Sequence, residues 1–267
     1  MPHLTTDDGV RLNYTVSDSG SLPVICLHYM GGCAVNYGGL ASALGEQRYR
    51  VVALDFRGHG NSEAAPTEFT NDRLARDVLQ VADAIGAESF ALIGHSFGGK
   101  VALTVAALAP TRVTGLVLLG AVGPGKVPFE REAVAGILSR SQDLGFLVDC
   151  FRGWFRPGSE AIVEAWAQQF KRTPVWAHQA VCEIAMWTDL TDDIRVVDTP
   201  ALVVVGTHDP VYGVAYQRDA VMPALANATL VTADCGHGMM LESLEEIAGH
   251  CRTFLAPLAP VPDILPE

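Results

Sequence analysis

Short uninterrupted apolar runs alternate along the chain with longer stretches in which apolar residues recur every three or four positions. The runs at residues 23–27, 50–54, 90–93, 113–119, 201–205 and 228–231 are too short for buried helices, and they predict parallel strands covered on both faces. Residues 11–16 alternate apolar with polar and predict a half-exposed strand, paired in a hairpin with residues 23–27 and feeding the central sheet. The clearest helix is predicted over residues 71–85, where Leu74, Val78, Val81, Ala82 and Ile85 share one face and Asn71 stands as N-cap. Regular alternation of strand and helix predicts a doubly wound α/β sheet.

The alternation stops between about Gly125 and Arg195, in a stretch that is helical throughout. It carries Phe151, Trp154, Phe155, Trp166, Trp176 and Trp187; Thr173-Pro174 predicts an N-cap with proline at the first helical position, and Arg156-Pro157-Gly158 a break. The predicted organisation is a core of residues 1–124 and 196–267 with an inserted helical cap over 125–195. The tail, residues 256–267, holds Pro257, Pro260, Pro262 and Pro266 and is expected to lie along the surface rather than form a helix.

Composition narrows the function. With 267 residues, 49% hydrophobic and 18% charged, the chain suits one large self-sufficient α/β domain. A net charge of −12 argues against nucleic acid and against acidic membrane surfaces as partners. The first residues lack a basic and an apolar leader region and no later run is long enough to span a bilayer, so a cytoplasmic protein is expected. Cys26, Cys33, Cys150, Cys182, Cys235 and Cys251 are scattered without metal-type spacing; they are read as reduced, mostly buried thiols, and no metal is expected.

The chemistry concentrates at three points. Gly94-His95-Ser96-Phe97-Gly98 follows a predicted strand and opens an Ala-rich helix, which is the setting of a nucleophile elbow. A serine hydroxyl needs a base to take its proton and a third group to orient that base. Asp209 sits in the loop past residues 201–205, although the neighbouring His208 is an alternative functional residue there. His237 lies between two glycines shortly after the run at residues 228–231, whereas His250 falls inside a predicted helix and His95 is expected to pack. The candidate triad is therefore Ser96, Asp209 and His237. The backbone N–H of Phe97 is one candidate donor to a developing oxyanion, and the loop His28-Tyr29-Met30-Gly31-Gly32 supplies a second, assigned to Met30.

Taken together, the elbow, the Asp55-Phe56-Arg57-Gly58-His59-Gly60-Asn61-Ser62 segment, Asp209 and Gly236-His237 make the chain resemble the α/β-hydrolase superfamily over nearly its whole length outside cap and tail. The resemblance implies an eight-stranded, mostly parallel sheet, a helical lid, and hydrolysis through an acyl-enzyme without metal or organic cofactor. It also implies a purely structural role for residues 55–62. One departure is Tyr29, where the family commonly has glycine; its phenol either meets substrate or packs, and the second oxyanion donor is left open. Serine rather than a carboxylate at the elbow favours ester chemistry over dehalogenation or epoxide opening. The expected activity is hydrolysis of a carboxylic ester or lactone with an apolar portion, the cap aromatics serving partly as pocket and partly as glue. Carbon–carbon bond hydrolysis of dicarbonyl compounds and thioester hydrolysis use the same triad, and a ligand-binding receptor with little turnover is the alternative of another class.

Overall fold

A computed structural model describes residues 2–259 except 18, 19, 46, 47, 65, 67, 128, 195 and 196, and does not describe the side chains of 184 and 185. Eight strands form one sheet: β1 (His3–Thr5), β2 (Arg11–Val16), β3 (Leu22–Leu27), β4 (Tyr49–Leu54), β5 (Phe90–His95), β6 (Val113–Leu119), β7 (Ala201–Gly206) and β8 (Ala228–Ala233). Their order across the sheet is β1-β2-β4-β3-β5-β6-β7-β8, antiparallel at β1/β2 and β2/β4 and parallel from β4 onward.

The apolar runs explain the layering. Successive side chains of a strand point to opposite faces, so Ile25 and Leu27 of β3 enter one core with Leu92, Leu116 and Leu118. Val24 and Cys26 enter the other with Ala91, Ile93, Val117 and Leu119. Helices α2 (Asn71–Ala84) and α3 (Phe97–Leu108) cover the first face; α1 (Gly38–Leu44) and α8 (Leu244–Leu255) cover the second.

Several expectations change. Residues 11–16 do not form a hairpin with 23–27: β2 pairs with β1 and with β4, because both edges of β3 are occupied by β4 and β5. A wholly apolar strand belongs at the sheet centre, and the half-polar β2 takes the antiparallel rim. At the opposite rim β8 pairs only with β7 and is half-exposed rather than covered on both faces. The N-cap of α2 is Thr70, whose hydroxyl accepts from Arg73 N at 3.1 Å; Asn71 is the first residue inside the helix. In the same way Thr173 closes the preceding helix and Pro174 holds the cap position of the next, a shift of one residue. The first tail residues, Ala256–Leu258, turn into a 3-10 helix, with Leu258 packed over Gly115 of β6. Residues 260–267 of the tail lie outside the described residues.

Between β6 and β7 the chain leaves the sheet for α4 (Arg131–Ser139), α5 (Leu144–Phe151), α6 (Glu160–Arg172), α7 (Val175–Ala180) and a π-helical stretch, Val181–Met186. The Arg156-Pro157-Gly158 break separates a 3-10 turn at Arg152–Trp154 from α6. The two roots of this excursion are tied together. Leu190 N donates to Pro124 O at 2.9 Å. Fully buried Lys100 of α3 donates to Gly125 O at 3.1 Å, Met186 O at 3.1 Å and Thr188 O at 2.5 Å. Burial pushes the Lys100 ammonium down to about 8, against the pull of Asp189. Further out, Asn36 and Gln169 exchange side-chain hydrogen bonds at 2.9 and 2.7 Å, and Trp176 Nε1 donates to Ala64 O at 2.8 Å.

The segment 55–62 braces the loop after β4. Asp55 accepts from Ala34 N, Asn13 Nδ2 and Asn61 N. Arg57, fully buried, forks onto Asp77 at 2.7 and 2.8 Å and onto Asp8 at 2.8 and 3.2 Å. A charge this deep is tolerable only with its donors satisfied.

Four buried histidines, His28, His59, His95 and His178, join the loops after β3 and β4, the elbow and α7. Burial lowers His28 and His178 to about 4 and His95 to about 3, and it holds His59 well below the ordinary histidine value.

Two outcomes follow from this packing. Because these rings resist protonation only in the folded state, the unfolded chain binds more protons below its ordinary histidine value. The histidine contribution is therefore whole above pH 6.5 and is lost as pH falls through about 4. The urea midpoint should drop steadily over that window, and a flat midpoint would contradict the neutral assignment. Lys100→Met removes three donors from buried carbonyls and also a buried charge, whose desolvation partly offsets the loss. It should cost about 1–3 kcal/mol in thermal unfolding and speed proteolytic nicking between residues 125 and 190; unchanged nicking there would show that the roots are held by other contacts.

Candidate active site

In a parallel sheet all strand C-termini point to one edge, and β3 is the position where the chain winds first one way, to β4, and then the other, to β5. The loops after β3, β5, β7 and β8 therefore open side by side. They carry Tyr29 and Met30, Ser96, Asp209, and His237 respectively.

Ser96 has φ 54° and ψ −118° and is the one non-glycine residue with positive φ among the described residues. Such a backbone costs roughly 1–3 kcal/mol and persists only where surroundings impose it. Here the imposing contacts are close. A Cβ at Gly98 would stand 2.1 Å from Leu27 O, and one at Gly94 would stand 2.5 Å from Gly98 O. The strand-to-helix turn is thus closed by glycines pressed on β3, with Ser96 at the N-terminus of α3, where the helix dipole favours negative charge.

His237 is held from three sides. Its Nδ1 meets Asp209 Oδ2 at 2.8 Å, its backbone N–H donates to Trp154 O at 2.6 Å, and its carbonyl accepts from His95 Nε2 at 2.9 Å. Since an ionised carboxylate only accepts, Nδ1 carries the proton and Nε2 keeps its lone pair. Asp209 is buried, and its Oδ1 accepts from Val211 N at 2.7 Å and Tyr212 N at 3.1 Å. Burial works to raise its pKa, but His237 and the two amides outweigh burial and hold the carboxyl below the usual carboxylate range. The alternative His208 is half-exposed and meets Asp234 at the surface, 3.1 Å away.

The loop after β3 is set by His28. Its Nε2 accepts from Phe56 N at 3.1 Å, which places the proton on Nδ1 and lets it donate to Tyr29 O at 2.7 Å. Gly32 N donates to the same carbonyl at 2.9 Å. In a planar trans peptide the N–H points opposite to the carbonyl, so Met30 N–H is turned away from both. Among the described residues neither Met30 N nor Phe97 N donates to a protein acceptor. Tyr29 stacks on Trp166 with ring centroids 3.7 Å apart and planes at 6°, and its edge meets His95.

Ser96 and His237 border one cavity of about 230 Å³, together with Tyr29, Met30 and Tyr212. An apolar cavity of about 150 Å³ holds benzene, so this space suits roughly nine non-hydrogen atoms. Of the aromatics in the helical excursion, Phe151, Trp154 and Trp166 line it. Phe155 instead packs on Gly238, Trp176 bonds to Ala64, and Trp187 lies under Arg131. Sequence reasoning missed Val134, Ile137 and Leu138 of α4, and Met186 and Tyr212. The helical spacing of the first three marks an apolar face but not what that face covers.

The six cysteines are free; Cys26, Cys182, Cys235 and Cys251 are buried, and burial raises each of these thiols. Among the described residues no three His, Cys, Asp or Glu side chains converge as metal ligands do, and no helix is long and apolar enough to cross a membrane.

Comparison with known proteins follows the same lines. Residues 23–146 match the family model of the alpha/beta hydrolase fold. A non-heme haloperoxidase of Rhodococcus erythropolis is 30% identical over 278 residues, spanning 96% of this chain and 99% of that one. A non-heme chloroperoxidase of Streptomyces lividans is 33% identical over 264 residues, spanning 90% and 94%. Among solved structures, a hydrolase from Pseudomonas aeruginosa superposes with a TM-score of 0.84 at 26% identity, covering 95% of this chain and 97% of that one. By sheet order, by elbow and by similarity along nearly its whole length, the chain belongs to the α/β-hydrolase family.

Proposed function

We propose that this α/β-hydrolase cleaves a small carboxylic ester or lactone through Ser96, His237 and Asp209. The observation that carries the reading is the pairing of His237 Nδ1 with buried Asp209, while Ser96, on its strained turn, borders the same cavity as His237. His237 Nε2 takes the Ser96 proton as Oγ attacks the carbonyl, and the imidazolium then protonates the departing alkoxide. Water, deprotonated by His237, attacks the acyl carbon and restores Ser96. The N–H groups of Phe97 and Met30 stabilise the tetrahedral oxyanion, each contributing about 3 kcal/mol to the barrier lowering. Their freedom from other acceptors supports that role, and the His28 bond to Tyr29 O sets the Met30 peptide.

Residues 125–195 act as a cap over a core of 1–124 and 196–267, a division supported by the cross-tied roots at Pro124, Gly125 and Leu190; its second boundary, at 195/196, falls outside the described residues. The cap side of the cavity is apolar, which suits an acyl or alkoxy group without charge. Tyr29 serves as wall, stacked on Trp166. The lining holds no Lys or Arg among the described residues, which weighs against carboxylate-bearing dicarbonyl compounds as substrates. The haloperoxidase names of two relatives favour one further reaction of the same acyl-enzyme. Hydrogen peroxide in place of water gives a peracid and free Ser96.

Ser96→Ala should lower hydrolysis of short p-nitrophenyl esters by about 10⁴-fold or more and abolish labelling by a fluorophosphonate, with unchanged thermal stability; full activity in this variant would refute the mechanism. Asp209→Asn keeps an oxygen for the Val211 and Tyr212 amides but presents the wrong partner to His237. It should reduce kcat by up to about 10⁴-fold with little change in KM, whereas a change confined to KM would assign Asp209 to substrate binding.

A further inference from the structure

The phenol of Tyr212 stands out against the cavity it borders. Tyr212 is 1% exposed, and its hydroxyl has no hydrogen-bond partner among the described residues. A buried hydroxyl left unpaired is costly, and its usual explanation is a missing partner. Its backbone does not swing: Tyr212 N donates to Asp209 Oδ1 at 3.1 Å, and Gln217 Nε2 donates to Tyr212 O at 3.1 Å. The ring is wedged between Phe129, at 5.6 Å, and Tyr216, at 4.9 Å, with the His237 ring 5.8 Å away.

A second phenol, Tyr29, also lacks a partner, but the two face different surroundings. The edge of Tyr29 meets His95, which is not part of the cavity wall, whereas the Tyr212 ring meets Phe129 and His237, which both are. Burial raises the Tyr212 pKa well above the ordinary value, so the group stays a neutral O–H donor. The rest of the lining is largely apolar, with Phe129, Val134, Ile137, Leu138 and Met186 on the cap side.

Resting on the hydrolase reading, we infer that Tyr212 is a specificity-determining residue whose hydroxyl donates to a second, uncharged oxygen of the substrate. The substrate class is thereby a small neutral ester or lactone bearing a keto or ether oxygen on its apolar portion. A carboxylate in that position would meet no cation, and a plain alkyl chain would leave the phenol unpaired.

The test compares methyl 4-oxopentanoate with methyl pentanoate, which differ by a keto group and both fit a space for roughly nine non-hydrogen atoms. Hydrolysis is followed by pH-stat in the wild type and in Tyr212→Phe, and binding of the same esters by calorimetry in Ser96→Ala with and without Tyr212→Phe. Expected is a loss of about tenfold in kcat/KM and in affinity for the keto ester on Tyr212→Phe, with the alkyl ester changed less than about twofold. Equal losses for both esters would make Tyr212 a packing residue, and no loss for either would remove it from the substrate site; both overturn the inference while leaving ester hydrolysis intact. If the wild type hydrolyses neither ester, the hydrolase reading fails for this class, and the calorimetric difference still decides whether Tyr212 binds the keto oxygen.

Discussion

Ser96 adopts a backbone conformation that no isolated serine would choose, and much of the architecture is arranged so that it has no alternative. The turn is compressed between β5 and α3 and seated on Leu27 O at the end of β3, with glycine at both places where a Cβ would collide. Only a central position, with strands paired on both sides, gives the stiffness to hold such a turn. The same requirement accounts for the largely apolar composition of β3, β5 and β6 and for helices on both faces.

The proposed base, His237, is positioned differently from the proposed nucleophile, Ser96. His237 is fixed by Asp209 and His95 from the core and by Trp154 O from the helical excursion. Core and excursion therefore share the orientation of one imidazole. Lys100 lies four residues beyond Ser96 on α3 and holds both roots of that excursion through three carbonyls. The Ser96 turn, His237 and the helical excursion are thus mechanically connected through short paths of buried hydrogen bonds, which are stronger in a low-dielectric interior than at a surface.

The cavity they enclose is small and largely apolar. In the proposed mechanism, excluding water there strengthens each fixed dipole aimed at developing charge, the N–H groups of Phe97 and Met30 above all. Polar atoms left without partners in such a place are few, so Tyr212 carries information about what enters.

Much of this was legible in the residues because it depends on local rules. Apolar runs bounded by turn residues gave β3 to β8 to within a residue or two, whereas β1, only three residues long, left no such signal; the glycines around Ser96 marked a turn too tight for side chains. Candidate residues placed at strand ends followed, since parallel strands bring their C-termini to one edge. The partner of β2 was not legible, since strand pairing depends on which edges of β3 are already taken by strands distant in sequence. Nor were the roles of Lys100, His28 and Tyr212: one-dimensional pattern identifies a buried lysine or phenol as an oddity, but its partners come from segments up to 88 residues away, or are absent. The sequence by itself determined the fold class and the chemical candidates, through periodicity and steric necessity. Which atoms meet, which side chains wall the cavity and which hydroxyl is left unpaired were decided only by tertiary packing, because they depend on long-range contacts that leave no local periodic trace.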